Sequence, residues 1–243
     1  MLRHSQVRGR LGFPTMRIAV AGGTGEEGFG LGLRLAAAGH DVTIGSRSAE
    51  KAAASVEEAA GLLPDAPVRG AENPEAVGDA EVVLVTVPFA GMATLYGAIH
   101  DSLSDGVVVV DCTSPLMTAV GGRATHAIRP WHGSAAEFAK TLLPAHVRLC
   151  AAFHTVAARA LRALDQPVDS DALVMGDDAD AKATVGALVD GIPGMRWVDC
   201  GGLQMARIAE TLTPLLIGIN VRYQVHDAGF RIVGREDWGR PGA

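Results

Sequence analysis

Lysine is scarce in this chain: Lys51, Lys140 and Lys182 are the only three among 243 residues. No Lys/Arg-rich run occurs, and the formal net charge is -6. Nucleic acids and anionic membranes need concentrated positive charge, so neither is expected as a partner. Cysteine is equally sparse, with Cys112, Cys150 and Cys200 dispersed and odd in number. That pattern fits reduced thiols at strand ends in a cytoplasmic protein better than a disulfide framework or a metal site. No apolar run approaches the ~18 residues of a membrane span. The first 15 residues carry Arg3, Arg8 and Arg10 without a long apolar stretch, so they do not form a signal peptide. A basic disordered arm, or a true start at Met16, explains them equally well. What remains is 48% apolar and 20% charged, enough for a large core.

Met16 to Lys51 organises the rest. Arg17 to Ala21 is a short apolar, β-branched run of the kind buried on both faces of a sheet. Gly23-Thr24-Gly25-Glu26-Glu27-Gly28 follows it with the spacing of a dinucleotide loop. The first glycine allows the tight turn, the second lets backbone approach a pyrophosphate, and the third lets the next helix lie close on the strand. Backbone N–H groups at that helix start would hold the phosphates. An apolar-periodic helix and a second strand, Asp41 to Gly45, come after it. The bland alternative is a glycine loop that only closes a corner.

Further on, strand and helix alternate. An alanine-rich helix runs from Lys51 to about Ala60, Pro64 and Pro67 mark a surface loop, and Asn73 caps a short helix to Asp79. Strands are expected at Glu81 to Val87, closed by Pro88, then at Val107 to Asp111 and at Arg148 to Phe153. Phe89 to Ile99 and Ala135 to Leu143 read as helices, with a loop at Ala119 to Gly133. Asp171 to Gly176, Ala179 to Asp190 and Arg196 to Cys200 read as strand, helix, strand. A long apolar helix, Gly202 to about Tyr223, comes last, and Arg231 to Ala243 is expected to fray. This order predicts an α/β fold with a doubly wound parallel sheet. The expected organisation is an arm (1–15), a nucleotide-binding domain (16–149) and a smaller C-terminal α/β domain (150–243) for substrate and dimerisation. Ligands of such sheets sit beyond the carboxyl ends of the strands.

The second strand ends Gly45-Ser46-Arg47, with Lys51 a turn later, where an NAD site would carry an acid. A hydroxyl and two cations suit a 2′-phosphate, so NADP is favoured. The alternative makes Ser46 a helix cap and Arg47 a solvated cation. Glu26 and Glu27 are the awkward feature beside a pyrophosphate, tolerable if their side chains point to solvent. In the second half no lysine lies on the terminal helix. Arg207 and Thr211, four apart, share a face, with Thr213 near it. Such a set binds an anionic or carbonyl-bearing ligand; the bland reading pairs Arg207 with Glu210 and turns the threonines back on the helix. His154, at a strand end, reads as an acid, a ligand contact or a satisfied core histidine, and its position leaves all three open.

Together GGTGxxGxGLxLRLA, GSRxxxK, the Val87-Pro88 pair, Ser114-Pro115-Leu116, FHTxxAR at Phe153 to Arg159, GDD at Gly176 to Asp178 and RxxExLTPL at Arg207 to Leu215 resemble the NADPH:F420 oxidoreductases. The similarity covers about Met16 to Asn220. It implies a Rossmann-type fold and direct hydride transfer between the nicotinamide of NADP and the deazaflavin coenzyme F420. It implies that Gly23 to Gly28, Ser46, Arg47 and Lys51 bind NADP with Ala158 nearby, and that Val87, Pro88 and Pro115 belong to the cofactor site. By the same resemblance His154, Val156, Arg207, Thr211 and Thr213 surround the deazaflavin or space the rings. His154 and Arg207 are then orienting or charge-stabilising candidates, with no certain acid or base. The departures are Glu26-Glu27, Phe89 where Trp is common, Thr211 for serine, and a longer tail. Other readings are an NADPH-dependent reductase of a small carbonyl or imine, with His154 as proton donor, and a non-catalytic NADP sensor. The apolar terminal helix, larger than a small domain needs, suggests a homodimer.

Overall fold

A computed structural model describes residues 15–65, 68–235 and 238–239. The expected N-terminal arm, apart from Thr15, and Pro67 lie outside the described residues. The chain begins with β1 (Arg17–Ala21), α1 (Glu26–Ala37), β2 (Asp41–Ser46), α2 (Ala49–Leu62) and β3 (Val68–Glu72). Then come α3 (Asn73–Val77), β4 (Val82–Val85), α4 (Met92–Ile99), β5 (Val108–Asp111), α5 (Ala135–Leu142) and β6 (Arg148–Ala151). The last part holds α6 (Ala158–Arg162), β7 (Asp171–Gly176), α7 (Ala179–Asp190), β8 (Arg196–Asp199), α8 (Ala206–Ala209) and α9 (Leu212–Tyr223).

The strands form one eight-stranded sheet in the order β3-β2-β1-β4-β5-β6-β7-β8. Every neighbouring pair is parallel except β6 with β7. Because helices cover both faces, alternate residues of one strand enter two different cores. Ile18 and Val20 of β1 join Leu31, Ile44 and Leu84 on one face. Ala19 and Ala21 join Val83, Val85 and Tyr96 on the other. The strand order reverses on either side of β1, which places the crevice for a ligand beyond the carboxyl ends of β1 and β4. β6 spans the boundary expected at residue 149, so the sheet runs across it.

Four local expectations need correction. β3 occupies part of what reads as loop; it is an edge strand with Arg69 and Gly70 exposed, so it lacks the apolar pattern that marks a strand. Asn73 does not cap a helix: the cap residue is Glu72, and the buried Asn73 Oδ1 accepts a hydrogen bond from the Gly22 amide at 3.0 Å. The 203–223 stretch is helical in three consecutive segments, a 3₁₀ turn at Leu203–Met205, α8, and the long α9. Pro214 has no N–H to return to the Glu210 carbonyl, so the helix is interrupted just before it, at Glu210 and Thr211, and restarts as α9. The tail is not frayed at its start, since Arg231 Nε and Nη1 donate to Asp169 and Asp171 at 2.7 Å each.

Arg34 fixes the element that matters most for the site. Its buried guanidinium donates to the carbonyls of Ala160, Leu161, Ala163 and Gln166 at 2.6–2.9 Å, satisfying the end of the short α6 and holding it on α1. Gly30 permits that approach, because a Cβ there would meet Leu161 Cβ at 2.7 Å.

Candidate functional site

The glycine loop is built as its spacing requires. A Cβ on Gly23 would lie 2.6 Å from the Val20 carbonyl, and one on Gly28 would lie 2.2 Å from Thr86 Oγ1. These two positions are closed by the protein itself. A Cβ on Gly25 would meet nothing within 4 Å, so its bare backbone faces open space. Gly25 is the N-cap of α1 and offers no side-chain cap, which leaves the first amides of a 12-residue helix free for an anion.

At the end of β2, Ser46 is buried and its Oγ accepts from the Ser48 amide at 3.4 Å. The cap of α2 is Ser48, not Ser46; Ser48 Oγ accepts from the Lys51 amide. Arg47 and Lys51 are exposed, and neither cation has an ion-pair partner among the described residues.

A cleft of about 870 Å³ opens beside this loop. One wall carries Gly25, Glu26, Glu27, Val87 and Pro88; the facing wall carries His154, Thr155, Val156, Ala158, Thr213 and Asn220. Thr213 ties the facing wall together: its hydroxyl donates to the His154 carbonyl at 2.8 Å and meets Ser114 Oγ at 2.7 Å. Phe153, wholly buried, has φ 69°, a left-handed backbone that turns the chain into this wall. Both ring nitrogens of the buried His154 and the hydroxyl of the buried Thr155 lack a hydrogen-bond partner among the described residues. Buried polar atoms are almost always paired, so these three are open to a ligand or to ordered water in the cleft.

The charges around the cleft are unusual. Burial pushes Glu27 up to about 8, with the Asp111 charge adding to the shift. Asp111, wholly buried, is pushed up to about 6 by burial, against hydrogen bonds from the Tyr96 hydroxyl at 2.6 Å and the Thr113 amide at 3.0 Å. Glu210 is pushed up to about 8 by burial, although it accepts the Ala135 and Ala136 amides at 2.7 and 3.0 Å. Burial lowers His154 to about 4, so its ring is neutral at physiological pH.

The cleft therefore gathers Gly25, Glu26, Glu27, Val87, Pro88, His154, Val156, Ala158 and Thr213. Gly23, Thr24 and Gly28 complete the loop behind it, and Ser46, Arg47 and Lys51 stand at the end of the neighbouring strand. Pro115 is buried behind Ser114 rather than lining the cleft. Arg207 and Thr211 are outside the lining. Arg207 pairs with Glu137 through two bonds of 2.7 Å, not with Glu210, and Thr211 Oγ1 donates back to the Ile208 carbonyl. Glu27 turns into the cleft instead of pointing to solvent. Sequence reasoning missed Thr155, Asp111 and Arg159; Thr155 and Arg159 stand inside the FHTxxAR motif, which was the available signal.

Known proteins resemble this chain over most of its length. The family described as NADP oxidoreductase, coenzyme F420-dependent, matches residues 17–115. An F420-dependent NADP reductase of Methanothermobacter thermautotrophicus is 46% identical over 221 residues, 89% of this chain and 94% of the relative. One from Methanocaldococcus jannaschii is 39% identical over 225 residues, 91% of this chain and 100% of the relative. Among solved structures, a candidate F420-dependent NADP reductase from Arthrobacter sp. FB24 superposes with a TM-score of 0.77 at 27% identity, covering 90% of this chain and 100% of that one.

Proposed function

The chain belongs to the F420-dependent NADP reductase family, and on that premise we propose that it transfers a hydride between NADP(H) and coenzyme F420. The observation that carries the reading is the unfinished state of the cleft and its rim: among the described residues no side chain caps the loop amides, Arg47 and Lys51 beside the loop have no ion-pair partner, and the ring nitrogens of His154 and the hydroxyl of Thr155 on the far wall have no hydrogen-bond partner. The loop amides at Gly25 to Glu27 fit a pyrophosphate, and Ser46, Arg47 and Lys51 fit a 2′-phosphate. NADPH, when bound, supplies the hydride from its nicotinamide.

The protein's part is to position and shield. Thr213 locks the His154 turn against α9, and Val156 and Leu216 give the cleft an apolar lining. Direct transfer between two stacked rings needs proximity and orientation rather than a proton relay. A neutral His154 suits that role as a hydrogen-bonding group. A carbonyl or imine reductase would need a proton donor there, and burial deprives His154 of its proton near neutral pH. Purified protein mixed anaerobically with NADPH and oxidised F420 should bleach the deazaflavin absorbance. Tight NADPH binding with no bleaching from mildly acidic to alkaline pH would instead identify a sensor.

Residues 150–243 carry the second wall and, in this reading, the dimer contact. Ile208, Leu215, Val221 and Tyr223 are each more than half exposed on α8 and α9, a face that a second copy would cover. Light scattering should give twice the monomer mass, and Leu215→Asp should reduce it to one. Among the described residues no helix is long and apolar enough to cross a membrane. Unpaired thiols and an NADPH substrate imply the cytoplasm.

A further inference from the structure

Glu26 and Glu27 open α1 side by side, yet they have different surroundings. Glu26 is exposed and faces Arg162 at 3.6 Å. Glu27 lines the cleft, half-buried, and among the described residues its carboxyl makes no hydrogen bond and no ion pair. The groups that face it are known from each neighbouring element. Asp111 and Cys112, from the end of β5, are the groups whose charges couple to it. Thr86, after β4, brings no charge. The neutral His154 and the cations Arg159 and Arg162 stand on the facing wall, with Arg162 already engaged by Glu26 and Glu58. Glu210 lies behind Asp111, turned to the amides of α5 and away from the cleft.

The same two residues supply the helix amides that fit a pyrophosphate. An ionised Glu27 would put a third negative charge against that group, with Asp111 behind it and no cation between them. A protonated Glu27 removes the conflict and provides a hydrogen-bond donor at the same place. We propose that NADP binds with Glu27 protonated, so that complex formation takes up one proton at this carboxyl. The inference rests on the NADP reading above and adds to it the protonation state that the site selects.

The shift already present in the free protein, to about 8, sets the window in which uptake is measurable. Above it the free carboxyl is ionised and must gain a proton on binding, so the Kd should rise about tenfold per pH unit. Apart from Glu210, the groups coupled to this site do not titrate there. The 2′-phosphate, with a second pKa of about 6, is already fully ionised. Burial pushes the Cys112 thiol and Tyr96 hydroxyl well above their usual values. Among the described residues Glu210 is the one other carboxyl pushed up to about 8, and it is tested separately.

The experiment is calorimetric titration of NADP+ into the full chain at pH 8.5, in two buffers of different ionisation heat, with Kd followed from pH 7.5 to 9.5. Wild type should take up most of one proton and weaken about tenfold over the last unit. Glu27→Gln should bind without uptake and with a flat profile, whereas Glu210→Gln should keep the uptake. Wild-type binding without uptake, or uptake that survives Glu27→Gln, would overturn the inference and leave the NADP reading intact. Failure to bind NADP+ at any pH would overturn the reading itself, and the inference with it. If Glu27→Gln does not fold, infrared difference spectra of wild type at pH 9.5 give the same answer. A protonated-carboxyl band should appear on NADP+ addition, and its absence would refute the proposal.

Discussion

Asp111 and Asp171 are both wholly buried aspartates of one sheet, and their surroundings are opposite. Asp171 opens β7 and is closed in by Arg196, whose Nε and Nη2 reach its two oxygens at 2.9 and 2.8 Å, by Arg231 at 2.7 Å and by the Ile232 amide at 2.7 Å. Burial alone would raise this carboxyl, but those bonds hold it below the usual carboxylate range. Asp111 ends β5 beneath the cleft with only neutral donors, and burial pushes it up to about 6. The pattern extends to the neighbours of each. In the outer part of the sheet Lys182 pairs with Asp199 at 2.7 Å and Lys140 with Asp177 at 2.7 Å. Around the crevice, among the described residues, Glu27 has no cation and Arg47 and Lys51 have no acid. The charges of the outer sheet are matched within the chain, whereas Glu27, Arg47 and Lys51 near the crevice are open to a ligand.

Three substitutions sharpen or break that contrast, taken from the largest effect downward. Asp171→Asn should cost about 3 kcal/mol in urea unfolding at pH 7.5, because it removes the charge that two arginines share. A loss below about 1 kcal/mol would show that the outer pairs are not what holds this end of the sheet. Arg47→Ala should leave folding unchanged and raise the NADPH Kd by one to two decades while NADH is little affected, since a charge-assisted contact is worth about 1.5–3 kcal/mol. Equal loss for both nucleotides would remove the 2′-phosphate assignment. Asp111→Asn should have the opposite sign to Asp171→Asn, with a gain of about 1 kcal/mol at pH 7.5 after its altered hydrogen bonds are counted. The raised pKa means that the folded state holds more protons than the unfolded one between pH 3.8 and about 6. Its contribution is therefore present below 3.8, lost as pH rises through 6, and absent from the variant. Destabilisation by this variant would mean that ionised Asp111 is a structural anion like Asp171.

How much of this was legible in the sequence depends on what each residue's role demands. Gly23 and Gly28 were readable because close backbone packing excludes a Cβ at fixed spacing, whatever the rest of the chain does. The paired strands were readable from apolar runs that fill both faces. β3 was not, since an exposed edge strand imposes no apolar pattern. The partner of Arg207 is Glu137, 70 residues away, and local helical spacing pointed instead to Glu210. Glu27 lines the cleft that the fold builds between distant segments, and its α1 position alone allowed solvent as readily as the cleft. Phe153 gave no sign of its left-handed backbone, because no glycine marks the turn that presents His154.

The central claim is that this cleft brings two coenzymes together for direct hydride transfer, without exchange through a side chain or water. NADPH carrying deuterium at the transferable C4 position, mixed anaerobically with oxidised F420 and the protein, tests it by mass spectrometry of the reduced F420. Direct transfer predicts one deuterium in the product at C5, in ordinary water. Reduced F420 without the label would contradict it, and would mean that the transferred hydrogen exchanges with solvent on the way.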